Sequence, residues 1–349
     1  MPFDYFMQLR LLPSLFLLAF MIPLGLIAQD VAFSQFYANP IYLNPAFAGS
    51  SIGPRVTMNY RNQWPSLAGD FVTYSASYDQ FVPSLYGGVG IQVMSDRMGA
   101  GSFKSTHLAL VYSNHLKLSR SLALKTGFQY QYAQRSLNWQ SLIFPDQIDA
   151  RTGVISGVTS EILPNQGLSN ANMHDFSAGM MIHSEKIFFG GSVHHLTEPN
   201  QSLIPDAEVK WPRRYTAHAG LNIELPKTSY RSPATIISPN VIYMTQGPSN
   251  QLNVGAYVNK GPLVGGLWFR AVQQYQTRTT TSTGLESMIF LLGLQQGVFR
   301  FGYSYDMTSS ALKAAALGSH EISLGIQLEP YDRGRGPKRV LQAIPCPKF

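Results

Sequence analysis

Residues 299–306 read Phe-Arg-Phe-Gly-Tyr-Ser-Tyr-Asp, and residues 321–328 read Glu-Ile-Ser-Leu-Gly-Ile-Gln-Leu. In both stretches, large apolar side chains alternate with small or polar ones. The stretches 122–132 and 214–225 alternate in the same way. Successive side chains of a β-strand point to opposite faces, so each stretch predicts a strand with one apolar and one polar face.

The same period of two recurs along most of the chain. Most of the predicted strands are close to the ~9–11 residues that a tilted strand needs to cross a bilayer. The pattern predicts fourteen strands: 55–62, 71–81, 86–95, 103–113, 121–133, 174–183, 187–196, 214–225, 235–245, 250–258, 263–271, 284–294, 298–306 and 319–328.

The predicted connections differ between the two ends of the strands. On the side of the chain termini the turns are mostly short, at 183–186, 259–262 and 295–297. On the other side the loops are mostly long, at 134–173, 197–213, 272–283 and 307–318. The turns 114–120 and 226–234 and the loop 246–249 are exceptions. Such sorting is typical of outer-membrane barrels, whereas a soluble sandwich or propeller, the alternative, has no reason for it.

Composition supports the same fold class. Charged residues make up 13% of the chain, against ~25% in soluble domains, and aromatic residues make up 12%. The single cysteine excludes an intrachain disulfide scaffold. After residue 30, no apolar run approaches the ~20 residues of a spanning helix. We therefore predict an all-β transmembrane outer-membrane β-barrel of about 14 antiparallel strands over residues 54–328, with its apolar face toward lipid.

Glycines are frequent on the predicted inner face. They would leave room in the lumen for a plug or a loop and would ease tight curvature. The set comprises Gly88, Gly90, Gly127, Gly179, Gly220, Gly255, Gly302 and Gly325.

The first 28 residues have the features of a secretory signal peptide. Arg10 precedes the apolar stretch 11–27, and Ala28 is a small residue at the expected cleavage site. The protein is therefore expected to leave the cytoplasm. Its net charge is +7, but the basic residues are scattered until the last part of the chain, which argues against a nucleic-acid partner.

Residues 29–53 form an unusual N-terminal segment. It contains two Asn-Pro steps, Asn39-Pro40 and Asn44-Pro45, among several aromatic residues. Asn-Pro favours turns and interrupts regular structure. Exposed loops seldom carry so many apolar side chains, so a packed plug or lumen-floor segment is favoured over a simple lead-in loop.

The tail, residues 329–349, is basic and then apolar. It is either a solvated terminus or a periplasmic contact for an acidic partner. An even number of strands would place both termini on the same, periplasmic, side of the outer membrane.

Catalytic and metal-binding motifs are weak. His194 and His195 are adjacent on a predicted strand, so their side chains are expected on opposite faces and unable to chelate one ion. Ser105 and His107 could belong to any polar lumen, and neither a nucleophile elbow nor a zinc-ligand spacing occurs. No catalytic residue, cofactor or metal site is predicted, and the chain is not expected to be an enzyme.

Three stretches resemble one known family. The run FSQFYANPIYLNPAFAG at 33–49, the ending IPCPKF at 344–349, and Gly190-Gly-Ser-Val-His-His-Leu-Thr-Glu-Pro-Asn200 are similar to signatures of the PorP/SprF family of type IX secretion membrane proteins from the Bacteroidetes. The resemblance covers about 29–349. It implies an outer-membrane barrel that partners the secretion machinery or secreted cargo with a type B C-terminal signal domain, including gliding adhesins.

The expected partner-binding residues lie in the N-terminal segment and the tail, and outer-membrane lipid is expected around the barrel. The remaining alternative is a passive porin for small solutes, although the glycine-lined inner face and the aromatic segment favour a filled lumen. The expected partner-binding residues are Phe33, Phe36, Tyr37, Asn39, Pro40, Asn44, Pro45, Arg335, Lys338, Arg339, Ile344, Pro345, Cys346 and Pro347.

Overall fold

The computed structural model describes residues 30–329, except 52, 67–68, 70, 100–101, 150, 154, 156–158, 160–167, 228–232, 278–279 and 310–316. The predicted signal peptide and the tail from residue 330 onward lie outside the described residues.

Fifteen strand segments form one antiparallel sheet. Two of them, β8 and β9, are separated by Asn222 and pair with the same neighbour, so they make one crossing. The segments are β1 (Arg55–Gln63), β2 (Phe71–Val82), β3 (Gly87–Met98), β4 (Phe103–Lys117), β5 (Ala123–Asn138), β6 (Leu168–His183), β7 (Ile187–His194), β8 (Arg214–Leu221), β9 (Ile223–Leu225), β10 (Thr235–Gln246), β11 (Ser249–Lys260), β12 (Leu263–Thr277), β13 (Thr280–Gln296), β14 (Phe299–Thr308) and β15 (Ser319–Gln327).

The sheet closes on itself as a fourteen-strand barrel. Each strand pairs with its sequence neighbours, and β1 pairs with β15 from Arg55↔Gln327 to Gln63↔Ser319. Closure satisfies the backbone donors and acceptors that an open edge would leave unpaired in hydrocarbon. The predicted fold class is thus confirmed, and each predicted strand corresponds to one crossing.

Burial is the reverse of that in a soluble protein. The outward face is apolar and exposed: Leu292, for example, is 70% exposed. The inward face carries buried polar and charged side chains, including Arg61 at 2% and Glu321 at 0%. An apolar exterior around a polar interior is what a barrel in lipid requires.

The long loops are fewer than predicted. Residues 139–167, 195–213 and 309–318 do form long connections on one side. The expected loop 272–283 is wrong, because β12 and β13 continue to Thr277 and Thr280. The expected loop 134–173 is too long at both ends, because β5 reaches Asn138 and β6 starts at Leu168. These hairpins continue where the apolar alternation fades, so the pattern marks only the part of each strand that faces lipid.

The helices are all short. Three of them follow the first described residue: the 3-10 helices Phe36–Ala38 and Pro45–Phe47 and the α-helix Pro40–Leu43. Further 3-10 turns lie in connections at Pro83–Leu85, Trp139–Ser141 and Pro145–Gln147. No helix among the described residues is long and apolar enough to span a membrane.

Candidate functional site: the segment inside the barrel

Residues 30–51, here named the plug segment, lie inside the barrel. Two of its three helical turns, Pro40–Leu43 and Pro45–Phe47, begin directly at the two Asn-Pro steps. Pro40 and Pro45 each occupy the first position of a turn, where the missing N–H is not needed. The Asn44 side chain accepts a hydrogen bond from the backbone N–H of Ala46 at 2.9 Å and so begins the last turn. The Asn-Pro steps therefore start short helices instead of only breaking structure.

Both asparagines also bind the barrel wall. Asn44 Nδ2 donates to the carbonyls of Met180 and Gly191 at 3.1 and 3.0 Å. Asn39 accepts from Gln92 at 2.8 Å and donates to Ser75 at 3.1 Å. The two residues thus connect the plug segment to two different parts of the sheet, β2–β3 and β6–β7.

Aromatic side chains of the plug segment form the main hydrophobic core of the molecule together with inward-facing strand residues. Phe36 packs on Trp268, with ring centroids 4.9 Å apart. Tyr37 meets Phe188 edge-on at 5.8 Å, and Phe47 stacks on His218 at 5.4 Å. Burial of large aromatic rings is the strongest favourable contribution that such a short segment can gain.

A buried charge cluster holds the segment near Ser34. Arg61 forms ion pairs with Asp306 at 3.0 Å and Glu321 at 3.2 Å, and Arg270 pairs with Asp306 at 3.2 Å. Ser34 donates its backbone N–H to Glu321 at 2.7 Å and its hydroxyl to Asp306 at 2.5 Å. Two cations and two anions balance each other, which a desolvated cluster requires.

A second charged site fixes the first described residue, Asp30. Its carboxylate accepts from Trp211 Nε1 at 2.8 Å and pairs with Arg214 at 2.9 Å and His195 at 2.8 Å. Burial by itself raises the pKa of the Asp30 carboxyl, but the charges of His195 and Arg214 outweigh burial and lower this pKa well below its usual range. Asp30 is therefore an anion at neutral pH.

His195 lies between two carboxylates. Its Nε2 is 2.8 Å from Asp30, and its Nδ1 is 2.8 Å from Asp175. Two ring nitrogens that both face carboxylates must both donate, so the ring is an imidazolium. Burial lowers the pKa of His195, yet the charge of Asp30 and the hydrogen bonds to Asp175 and Asp30 raise it above its ordinary value.

The expectation that His194 and His195 face opposite sides is wrong. Both side chains are buried inside the barrel. Strand β7 ends at His194, and His195 has a φ of +59°, which turns its side chain inward and against Trp211. Among the described residues, no group of three or more His, Cys, Asp or Glu side chains is arranged to hold a metal.

The other end of the plug segment contacts the wall through backbone. Gly49 N–H donates to Asp79 at 2.8 Å, and the Ala48 carbonyl accepts from Ser113 at 2.6 Å. Glycine allows this close approach at two positions. A Cβ on Gly88 would stand 2.2 Å from the Ala48 oxygen, and one on Gly127 would stand 2.3 Å from the Ala46 nitrogen.

The lumen also contains a serine–histidine pair. Ser105 Oγ is 2.9 Å from His107 Nε2, and Gln131 Nε2 is 3.1 Å from His107 Nδ1. Nδ1 of His107 thus faces the Gln131 amide, at the position where a Ser-His-Asp triad has a carboxylate.

The predicted partner-binding residues fall into two groups. The seven in the plug segment, Phe33, Phe36, Tyr37, Asn39, Pro40, Asn44 and Pro45, are all buried in the lumen. A partner reaches them only if the segment leaves the barrel. The other seven, from Arg335 to Pro347, lie outside the described residues.

Sequence reasoning did not identify the charged anchors of the plug segment. Asp30, Asp175 and His195 form one group, and Arg61, Arg270, Asp306 and Glu321 form the other. A signal was available for the second group. Arg61, Asp306 and Glu321 occupy inward positions of strands whose side chains alternate between apolar and polar, in a chain with few charges. A charge on the inward face needs a partner inside the barrel.

Comparison with known proteins identifies the family. The family model described as "Type IX secretion system membrane protein PorP/SprF" matches residues 26–326. The chain belongs to this family. The resemblance stated from the sequence is thereby confirmed, and a PorP/SprF chain with a closed, apolar-surfaced barrel is a membrane component of type IX secretion located in the outer membrane.

Solved structures similar to this PorP/SprF chain are distant barrels. KdgM porin is 8% identical, with a TM-score of 0.33 over 78% of this chain and 99% of that one. A Pseudomonas aeruginosa FadL homologue is 11% identical, with a TM-score of 0.39 over 79% and 90%. A "Bacterial polysaccharide outer membrane secretin" is 8% identical, with a TM-score of 0.38 over 79% and 99%. No curated protein matches the chain.

Proposed function

We propose that this barrel serves type IX secretion as a binding component and not as an open conduit. Its partners would be the secretion machinery and secreted cargo with a type B C-terminal signal domain, such as surface adhesins of gliding cells. The observation that carries the proposal is the plug segment, whose aromatic rings and two charged anchors occupy most of the lumen. A filled lumen offers neither a polypeptide nor a solute a continuous path.

The proposal includes an orientation and a non-enzymatic role. Fourteen crossings bring the start of β1 and the end of β15 to the same side of the membrane. The longest loops, 139–167 and 195–213, lie on the other side. In outer-membrane barrels the longer loops face the cell exterior. Both termini would then face the periplasm, where secretion partners are reached. The amide of Gln131, which faces His107 where a triad would have a carboxylate, supports a role without catalysis.

The passive porin is the second candidate, and one experiment separates the two. The gene is deleted in its host, and the strain is complemented with the full chain or with a variant lacking residues 31–49. Secreted proteins are then quantified by mass spectrometry. In parallel, each purified protein is tested for small-solute flux in liposome-swelling assays.

We expect the deletion strain to retain cargo that carries type B signal domains and the full chain to restore its secretion. We also expect little solute flux through the full chain and more through the variant without residues 31–49. Unchanged secretion in the deletion strain, together with rapid flux through the full chain, would contradict the proposal and support a porin.

A further inference from the structure

A cavity of about 220 Å³ lies in the lumen beside the plug segment. Asp30 and Tyr42 form one side of it, and the loop-side ends of β3, β4 and β5 form the other. Met98 is the last residue of β3 and Phe103 the first of β4, so the cavity lies at the end of the barrel away from the strand termini Arg55 and Gln327. A ligand would enter from the loop side.

Arg135 is the unusual residue of this cavity. It is 9% exposed, and its guanidinium carbon lies 4.2 Å from the centre of the Trp211 ring. Its Nη1 donates to Gln201, while its Nε has no hydrogen-bond partner. Among the described residues, no carboxylate lies within ion-pair distance of Arg135, whereas the neighbouring cation Arg214 is paired with Asp30.

A buried guanidinium with no carboxylate in direct contact is costly, and the charges of Asp30 and Asp96 act on Arg135 only from beyond ion-pair distance. Its Trp211 contact offsets part of the cost by cation–π attraction, and Gln201 satisfies one donor. Because the Arg135 side chain lines the cavity, a ligand there could supply a counter-ion in direct contact with the guanidinium. A carboxylate is the group whose geometry and charge match a guanidinium best.

The opposite requirement is met by acceptors in the same cavity. Asp96 and Gln129 line the cavity, and the Asp96 carboxylate accepts hydrogen bonds from the Thr73 hydroxyl at 2.6 Å and from the Arg97 backbone. A ligand that presents an N–H donor a short distance from its carboxylate would satisfy both kinds of group.

Much of the remaining lining is apolar and includes Met94, Met98, Phe103 and Trp211, beside polar side chains such as Ser105, His107 and Gln131. A dry apolar cavity of ~150 Å³ is enough to bind benzene, so a cavity of about 220 Å³ has room for one aromatic or branched aliphatic side chain. Methionine walls adapt well to such groups.

We propose that this cavity binds an α-amino acid with an apolar side chain, either free or as the last residue of a polypeptide. The carboxylate pairs with Arg135, the amine or amide N–H faces Asp96 and Gln129, and the side chain packs against Met98, Phe103 and Trp211. This site is separate from the secretion role and does not depend on it.

Calorimetric titration of the purified full-length protein tests the proposal with three probes: L-phenylalanine, N-acetyl-L-phenylalanine and L-phenylalaninamide. The amide lacks the carboxylate. We expect saturable binding of L-phenylalanine, of N-acetyl-L-phenylalanine or of both. The affinity for L-phenylalaninamide should be weaker by at least about tenfold, which is the effect of losing one charged hydrogen bond. Tighter binding of the free amino acid assigns the site to amino acids, and equal or tighter binding of the N-acetyl form assigns it to chain ends.

Two variants and one control make the result specific. Arg135→Gln should weaken carboxylate binding by at least about tenfold, and Met98→Trp should abolish it by filling the cavity while Arg135 stays in place. Arg97→Gln changes an exposed arginine on the outer face of β3 and should leave binding unchanged. Heat-modifiable gel mobility verifies that each variant is folded. No saturable binding up to about 1 mM, equal affinity for the amide, or unchanged binding by Arg135→Gln would overturn the proposal.

Discussion

The substitution Gly127→Ala should loosen the plug segment without unfolding the barrel. The added Cβ would stand 2.3 Å from the backbone of Pro45 and Ala46, whereas ordinary van der Waals contacts begin near 3.4 Å. The three atoms nearest to that Cβ all belong to the plug segment. The segment must therefore retreat by about 1 Å in a close-packed interior.

Overpacking of this kind costs about 1–3 kcal/mol. It destabilises only the closed barrel, in which the plug segment is in place, and not the open barrel that the segment has left. A change of that size shifts the equilibrium between closed and open barrels about 5- to 150-fold. In planar bilayers, the frequency of open events of the purified variant should rise by that factor relative to the unmodified protein. The heat-modifiable mobility of the barrel should not change.

Two controls separate displacement of the plug segment from damage to the strand. A Cβ on Gly265, in β12, would have no neighbour within 4 Å, so Gly265→Ala reports the general effect of alanine in a strand. In a chain that lacks residues 31–49, Gly127→Ala should no longer alter conductance, because its target is absent. Equal open-event frequencies for Gly127→Ala and the unmodified protein would refute the reasoning.

Three further predictions concern the wall, the anchor and the tail. Leu324→Arg places a cation toward lipid, at a cost of ~2–4 kcal/mol near the bilayer midplane, and should prevent assembly by heat-modifiable mobility, whereas Ser323→Arg faces the plug segment and should assemble but conduct more. The anchor contribution of His195, whose folded pKa is raised, is complete below its ordinary value of 6.5 and lost as pH rises through the raised value. That of Asp30, whose folded pKa is lowered, is complete above 3.8 and lost as pH falls through the lowered value. Open events should therefore be rarest between pH 3.8 and pH 6.5, the ordinary pKa values of the two groups, and should increase at alkaline pH. His195→Gln should remove the alkaline increase. Deletion of 337–349 should leave the barrel in the outer membrane but stop cargo secretion, and normal secretion would show that the tail is only a solvated terminus.

The sequence predicts the barrel wall well because one physical constraint acts on every strand. Lipid on one side and a polar lumen on the other force a period of two, which is why β14 and β15 are visible in eight residues each. The constraint ends where both faces of a hairpin leave the lipid. The sequence Thr277-Arg-Thr-Thr-Thr-Ser-Thr283 has no apolar alternation, so the continuation of β12 and β13 was not predictable from the pattern.

The charged anchors were harder to predict, because they depend on contacts between distant parts of the chain. Asp30 and His195 are 165 positions apart. The inward turn of His195 follows from a positive φ, which is rare for a non-glycine residue and leaves no mark in the hydrophobic pattern. The assumption that both histidines lie on a strand therefore led to the wrong prediction that their side chains point to opposite faces.

The inward glycines show what kind of information about the lumen the sequence does contain. Gly88 and Gly127 lie where the backbone of the plug segment touches the wall, and no other residue would fit there. Gly220 and Gly255, on the same face, instead adjoin side chains of neighbouring strands such as Phe188 and Trp268. A glycine on the inner face thus marks a place where the barrel wall leaves space on the lumen side. It does not show which group occupies that space. The occupant is specified elsewhere, by the aromatic residues and the two asparagines of the plug segment, which bind the inner face of the wall.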